Sequence, residues 1–112
     1  MDQVAKYRKI VRRLLHEMAE TFRNNSNWEL IEAFDEEHGQ YLLFTDGWNG
    51  DDRDYGCFMH IEVKNDGQIW IRRDGTDLDI GSQLLEEDIP KKHIVLAFFP
   101  MSMREQSDFA LV

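Results

Sequence analysis

The spacing of apolar residues changes once along this chain, and the change divides it. Val4, Tyr7, Val11, Leu14, Met18 and Phe22 recur at steps of three and four, Ile10 and Leu15 widen the stripe, and Lys6, Lys9, Arg13 and Glu20 fall on the other side. That period describes an amphipathic helix of about five or six turns. The polar run Asn24-Asn25-Ser26-Asn27 supplies its stop and the connection to a sheet. From Trp28 onward the period moves toward two, the signature of strands with one buried face.

Residues 29–35 and 40–46 read as paired strands, with Glu36-Glu37-His38-Gly39 as their turn. The third strand, 55–64, puts Cys57, Met59, Ile61 and Val63 on one face and Phe58, His60, Glu62 and Lys64 on the other. Residues 68–73 make the fourth. A two-residue turn at Asp66-Gly67 would set Val63 opposite Trp70 and mix the faces. A three-residue turn, Asn65-Asp66-Gly67 with Gly67 left-handed, pairs Val63 with Ile69 and Ile61 with Ile71, and this register is the expected one. It gathers Phe58, His60, Trp70 and Arg72 on the face opposite the aliphatic residues. Aromatic and charged side chains interleaved in this way suggest a surface that meets something.

Between the second and third strands lies DGWNGDDRDYG, residues 46–56, read as a hairpin connection. No frame of it satisfies a calcium-binding EF-hand loop: counting from Asp46 puts Trp48 at the third position, and counting from Asp52 puts Val63 at the twelfth. Four carboxylates and the lack of a Gly-Lys-Ser/Thr ending argue against a phosphate cradle. Turn chemistry explains the glycines, Asn49 and the aspartates without a ligand, and Trp48 and Arg53 are the residues through which this segment would serve as an interface. The candidate interaction surface is therefore Trp48, Arg53, Phe58, His60, Trp70 and Arg72. Trp70 is equally suited to being covered by the first helix, by a second copy of the chain, or by a partner.

The net charge of −9 is unevenly spread: residues 1–23 hold six basic and three acidic side chains, +3, which leaves −12 on the rest. An acidic body lacks the basic stripe that nucleic-acid binding uses, so strong direct binding is not expected. No apolar run approaches the roughly 18 residues of a membrane span, and the charged N-terminus has no signal-peptide core, so a cytoplasmic protein is expected. The single cysteine, Cys57, excludes an internal disulfide, and no Cys-x-x-Cys pair offers a zinc site. Cys57 is expected to be a small buried residue, pointing away from His60 on the same strand, so the two form no nucleophile pair. No second histidine stands at metal-ligand spacing from His60. No catalytic, cofactor or metal site is expected. Glu62-Val63-Lys64 has the Glu-x-Lys form of restriction-type nucleases, where alternation aims both side chains at one metal-bound water beside an aspartate, here Asp46 or Asp54. That metal-dependent nuclease is the alternative reading, although Glu-x-Lys is also what any exposed strand face looks like.

Gly47-Trp48, Arg53, Gly56, His60, Gly67, Ile69-Trp70-Ile71 and Asp74-Gly75-Thr76 stand in an order and spacing that resembles the XisI-like family, the fdxN element excision controlling factors of cyanobacteria. The likeness continues through Ile80, Leu84, Ile89-Pro90-Lys91, Ile94-Val95-Leu96, Arg104 and Asp108-Phe109-Ala110, and begins with Lys6-Tyr7-Arg8. The family usually has glycine where Ala97 stands and glutamate where Asp77 stands. The resemblance implies a non-catalytic controlling factor that acts with XisH, an endonuclease-like partner, in excising a DNA element during heterocyst differentiation. It supplies no catalytic site.

In the last third, Asp74-Gly75-Thr76-Asp77 reads as a strand exit and a helix start, with Thr76 or Asp77 capping a turn through Gln83-Leu84-Leu85. Ile89-Pro90 breaks the chain. Residues 94–99 are apolar throughout, so their period does not separate helix from strand; proline at a first-turn position favours a short helix. Residues 108–112 are expected to return as an edge strand. The expected architecture is a single α+β domain over residues 1–112: a long N-terminal helix on an antiparallel meander of about four strands, closed by short C-terminal helical segments, with a possible homo-oligomer.

Overall fold

Asp2 opens the first helix by accepting from the backbone N–H groups of Val4 and Ala5 (3.1 and 3.3 Å), which satisfies two of the donors a helix start leaves unpaired. The computed structural model describes residues 2–24, 28–76, 78–105, 107, 109 and 110. Helix α1 (Gln3–Asn24) buries Tyr7, Val11, Leu14, Leu15, Met18 and Ala19, the stripe that the three-and-four spacing predicts. Asn25, Ser26 and Asn27 of the expected stop lie outside the described residues. Arg23 in the last turn donates to the carbonyl of Leu30 (2.9 Å), tying the helix end to the sheet edge.

The sheet has five strands in sequence order: β1 (Glu29–Asp35), β2 (Gln40–Asn49), β3 (Asp52–Val63), β4 (Ile69–Asp74) and β5 (Ile94–Leu96). The first four are antiparallel and β5 runs parallel to β4. Tyr41 and Leu43, then Met59, Ile61 and Val63, then Ile69 and Ile71 are all buried on one side, where α1 and helix α2 (Ile80–Glu86) cover them in one cluster. Each such aliphatic side chain contributes about 1.5–3 kcal/mol by leaving water. The β3–β4 register is the expected one, Val63 opposite Ile69 and Ile61 opposite Ile71. Its turn is closed by Lys64 N–H donating to the Gln68 carbonyl (2.8 Å), with Gly67 at φ +91°.

Four expectations need correction. Residues 46–56 are not a loop: β2 and β3 continue through them, pairing Trp48 with Arg53 and Asn49 with Asp52, and only Gly50 and Asp51 remain as the turn. Gly50, at φ +66°, supplies the conformation that a two-residue hairpin turn asks of its first position. Residues 94–96 are a strand, not a helix. Pro90 starts only a single 3-10 turn, Lys91–His93, and Ile94-Val95-Leu96 is then buried on both faces, with β4 on one edge and Ala110 on the other. A short, continuous apolar run rich in β-branched residues is what such a strand looks like in sequence. The start of α2 is capped by Asp79, at φ +52°, whose carboxylate accepts from Ser82 N–H (3.3 Å). Thr76 is instead held by Asp74 through its N–H (3.0 Å) and hydroxyl (2.7 Å), and Asp77 lies outside the described residues. The fourth correction, at Phe58 and Cys57, concerns the candidate surface and is set out below. Of the expected final strand, Ala110 donates to Ile94 carbonyl (2.9 Å); Asp108, Leu111 and Val112 lie outside the described residues. The last helix, α3 (Met101–Arg104), is one turn. Among the described residues no helix is long and apolar enough to cross a membrane.

The β1–β2 turn depends on Gly39. It sits at φ +66°, its carbonyl accepts from Val63 N–H (2.8 Å), and a Cβ there would collide with the Val63 carbonyl. Gly50 shares the φ but has open space around it. Gly50→Ala should cost about 1 kcal/mol from the backbone alone, and Gly39→Ala about 3 kcal/mol because the collision adds to it. Urea unfolding of both variants checks the difference; equal losses would show that the Val63 carbonyl gives way freely.

Candidate functional site

The side of the sheet away from α1 and α2 carries the candidate surface. Pairing places Leu42 opposite His60, Phe44 opposite Cys57, Asp46 opposite Tyr55 and Trp48 opposite Arg53, all on this outer side, with Glu62 opposite Trp70 on the next strand pair. Odd-numbered 53, 55 and 57 share this side with even-numbered 60 and 62 because β3 holds an extra residue: the register with β2 shifts between Leu43–Met59 and Phe44–Cys57, leaving Phe58 unpaired. A bulge of this kind changes which face the following residues take.

Phe58 is therefore turned the other way. Its ring packs against the core, 5.8 Å from the ring of Phe22 on α1, so it does not belong to the surface on which strict alternation places it. Gly75 approaches the bulge closely, donating to the Phe58 carbonyl at 2.7 Å, where a Cβ would stand 2.8 Å from that oxygen. Cys57 is corrected in the same sense: it is only partly buried, and lies beside Phe44 rather than beneath α1.

The remaining five candidates form two clusters rather than one. At the hairpin tip Arg53 lies 5.2 Å from the Trp48 ring and 5.1 Å from the Tyr55 ring, and its guanidinium donates to Asp46 (2.5 Å) and the Gly47 carbonyl (3.2 Å). Trp48 and Tyr55 are 62% and 60% exposed, which leaves both rings open to a partner. At the other end Trp70 lies between Lys64 (4.6 Å) and Arg72 (5.2 Å), and Arg72 donates twice to Glu62 (3.1 and 2.6 Å). His60 shares a 2.7 Å hydrogen bond with Gln40. Burial first, and then the Arg72 charge, hold its pKa below the ordinary histidine value against the opposing effect of Glu62. Burial would raise Glu62, but the Arg72 hydrogen bond and the nearby Lys64 bring it below the usual carboxylate range.

Tyr55 and Phe44 are the surface residues that sequence reasoning missed. The signal was present in the alternation of Leu42, Phe44, Asp46 and Trp48, which is visible once 46–49 is read as strand. The nuclease arrangement is not assembled at Glu62. Its carboxylate is engaged by Arg72 and Lys64 lies on Trp70, while Asp46 is bound to Arg53 and Asp54 accepts from Thr45 (3.0 Å). Asp46 pairs opposite Tyr55, seven residues along β3 from Glu62, or about 23 Å. Among the described residues one other group has metal-ligating side chains: His16, Glu20 and Glu32 offer atoms within 4.8 Å of one another. Arg23 already binds both glutamates and His16 donates to Glu32 (2.8 Å), so both carboxylates are engaged by side chains of the chain itself.

Comparison with known proteins places the whole chain. The family model described as XisI protein matches residues 1–111. The crystal structure of a XisI-like protein from Anabaena variabilis has a TM-score of 0.88 and 28% identity, over 97% of this chain and 99% of that one. The crystal structure of the fdxN element excision controlling factor XisI from Anabaena variabilis has a TM-score of 0.77 and 29% identity, over 99% of this chain and 100% of that one. No curated protein matches.

His60 makes the outer surface sensitive to acid. Its folded pKa lies below the ordinary value of 6.5, so the unfolded chain takes up the proton first. The stabilisation is complete above the unfolded pKa and is lost as pH falls toward the folded one. Unfolding free energy should drop on acidification below about pH 6.5, and His60→Gln should remove that part of the slope. Urea unfolding of both proteins across this range checks it, and an unchanged slope would show that His60 gains its proton equally in both states.

Proposed function

Since the chain belongs to the XisI family, we propose that it is a controlling factor in the excision of a DNA element, acting beside an XisH-type, endonuclease-like protein without chemistry of its own. The observation that carries this is a match that runs the length of the chain and includes a controlling factor among its structural neighbours. The setting that fits is site-specific rearrangement during heterocyst differentiation in a cyanobacterium.

Two features of the surface favour action through a protein rather than through direct grip on DNA. The first is the state of the basic helix. Arg12 is paired with Glu36, Arg13 with Glu17 and Glu87, Arg23 with Glu20 and Glu32, and Arg8 donates to the Glu36 carbonyl (3.1 Å) and Asn65 (3.2 Å). Cations held by the protein's own acids release few counterions on meeting phosphate, so duplex binding by the isolated chain is weak and salt sensitive. The second is the hairpin tip. Of its four aspartates, Asp46 and Asp54 are bound internally, which leaves Asp51 and Asp52 exposed at the turn without a side-chain partner among the described residues. A pair of carboxylates projecting from an acidic body suits the basic DNA groove that an endonuclease-like partner would carry.

Purification with a co-expressed XisH-type protein should yield a complex, and its association rate should fall about tenfold from low to physiological salt. Asp51→Asn with Asp52→Asn should slow the low-salt rate severalfold and leave the high-salt rate unchanged. Equal rates for both chains at both salts would eliminate the acidic tip as the steering element, and the absence of any complex would eliminate the partner.

A further inference from the structure

Between the two cation–aromatic clusters the outer sheet side is apolar: Ile31, Ala33, Leu42, Phe44 and Cys57 lie in register across β1, β2 and β3. The helices that pack on the sheet, α1 and α2, both cover its other side, and α3 has no comparable contact with it. Three properties of this strip specify what covers it.

Charge is the first. The outer side holds Glu29, Asp35, Asp46 and Glu62 against Arg53, Lys64, Arg72 and Arg73, the last opposite His60, a balance of zero on a chain of −9. The whole −9 lies elsewhere, so this is the side on which two copies can approach with the least repulsion. Internal pairing is the second. Arg53 is bound to Asp46 and Arg72 to Glu62, so the charges that flank the strip within β2, β3 and β4 are already paired, which lowers the usual cost of covering a polar strand face. A basic or acidic partner would find no net charge to answer here, whereas an identical surface brings both signs in equal number. Area is the third. β1 to β4 run seven, ten, twelve and six residues, so at about 3.3 Å per residue and about 4.8 Å between strands the side is longest, about 35–40 Å, along the central hairpin and shorter at its flanks. The resulting area of roughly 560 Å², before side-chain relief is counted, approaches the ~800 Å² per partner of a stable interface.

We infer that the outer side of the sheet is the interface of a two-fold homodimer, with Phe44 at its centre and the Trp48–Arg53–Tyr55 and Trp70–Arg72 clusters at its margins. The pairing is isologous: each copy offers the same strip, and the two sheets close face to face over an apolar layer. This goes beyond the reading as a controlling factor and stands independently of any partner, because it rests on the strip and not on the acidic tip.

Light scattering and sedimentation of the purified chain should give twice the 13.3 kDa of one copy. Phe44→Asp should weaken self-association by at least about 30-fold, as loss of a central anchor does, with the circular dichroism and melting of the fold retained. Tyr55→Asp, at a 60% exposed position outside the core, tests the same margin if Phe44→Asp does not fold, and should weaken association in the same direction. Lys9→Asp, on the far side of α1, should leave the dimer intact. A native chain that stays monomeric to about 100 µM, or a dimer that survives both substitutions, overturns the inference. So does a monomer whose capture of an XisH-type protein is lost on Phe44→Asp, which would assign the strip to that partner. None of these outcomes alters the salt dependence expected of Asp51 and Asp52, so failure of the dimer and failure of the partner reading remain distinguishable.

Discussion

The direction in which β3 faces decides almost everything else in this molecule. It pairs with β2 along its whole length and with β4 at one end, and it supplies Met59, Ile61 and Val63 to the layer under α1. A slip of one residue against β4 would exchange Ile69 and Ile71 for Trp70 and Arg72 beneath the helix. The Lys64–Gln68 closure with Gly67 left-handed prevents it, and Gly39 reinforces the same end through Val63. Once β3 is set, the covered and uncovered sides of β1, β2 and the Ile69–Ile71 part of β4 follow.

The strand nevertheless changes phase once, and the cause lies in the core. Phe58 is large and apolar, and the space beneath the end of α1 beside Phe22 accepts its ring. Keeping Met59 inside as well requires two consecutive residues on one side, which a β-strand achieves only by bulging. The bulge is held on its β4 flank by Gly75 against the Phe58 carbonyl and by Arg73 donating to the Cys57 carbonyl (2.9 Å). Everything nearer the hairpin tip is thereby turned over, so that Arg53 and Tyr55 share a side with His60 and Glu62.

This shift marks the limit of what pattern can reveal. The helix, the β3–β4 register and the aliphatic layer were legible because each depends on a local period with a large energetic consequence, as with Val11, Leu15 and Ile61. The bulge was not, because parity along β3 has no mark at Phe58; only the ring of Phe22, distant in sequence, makes the inward position favourable. The tip departs from its pattern for the opposite reason: Gly, Asn and Asp resemble a loop in composition, and pairing between Trp48 and Arg53 overrides it. In β5, Pro90 suggested a helix start, but burial of Ile94-Val95-Leu96 on both faces required a strand. Of the candidate surface, His60, Trp70 and Arg72 were placed correctly by the register, Trp48 and Arg53 proved to be a separate cluster, and Phe58 belongs to the core.

The outer surface and the acidic tip act over different distances, and the β2–β3 hairpin carries both, while the bulge at Phe58 turns Arg53 and Tyr55 to the outer side. Exposed carboxylates such as Asp51 and Asp52 act across about a Debye length, roughly 8 Å at physiological salt, whereas the strip around Phe44 contributes only at contact, when water leaves it. A hairpin that carries both can draw a basic surface toward its end while its flank is engaged by an identical chain. In the proposed two-fold dimer the tips recur as a pair, and a partner able to span both would meet the second at an effective concentration set by a rigid sheet rather than by diffusion. Control of a nuclease by such an arrangement needs no reacting group in the chain. On the proposed reading it needs only that the acid at the tip compete with DNA phosphate for the same groove, and a doubled tip that a partner could span would raise that competition without adding a contact within either copy.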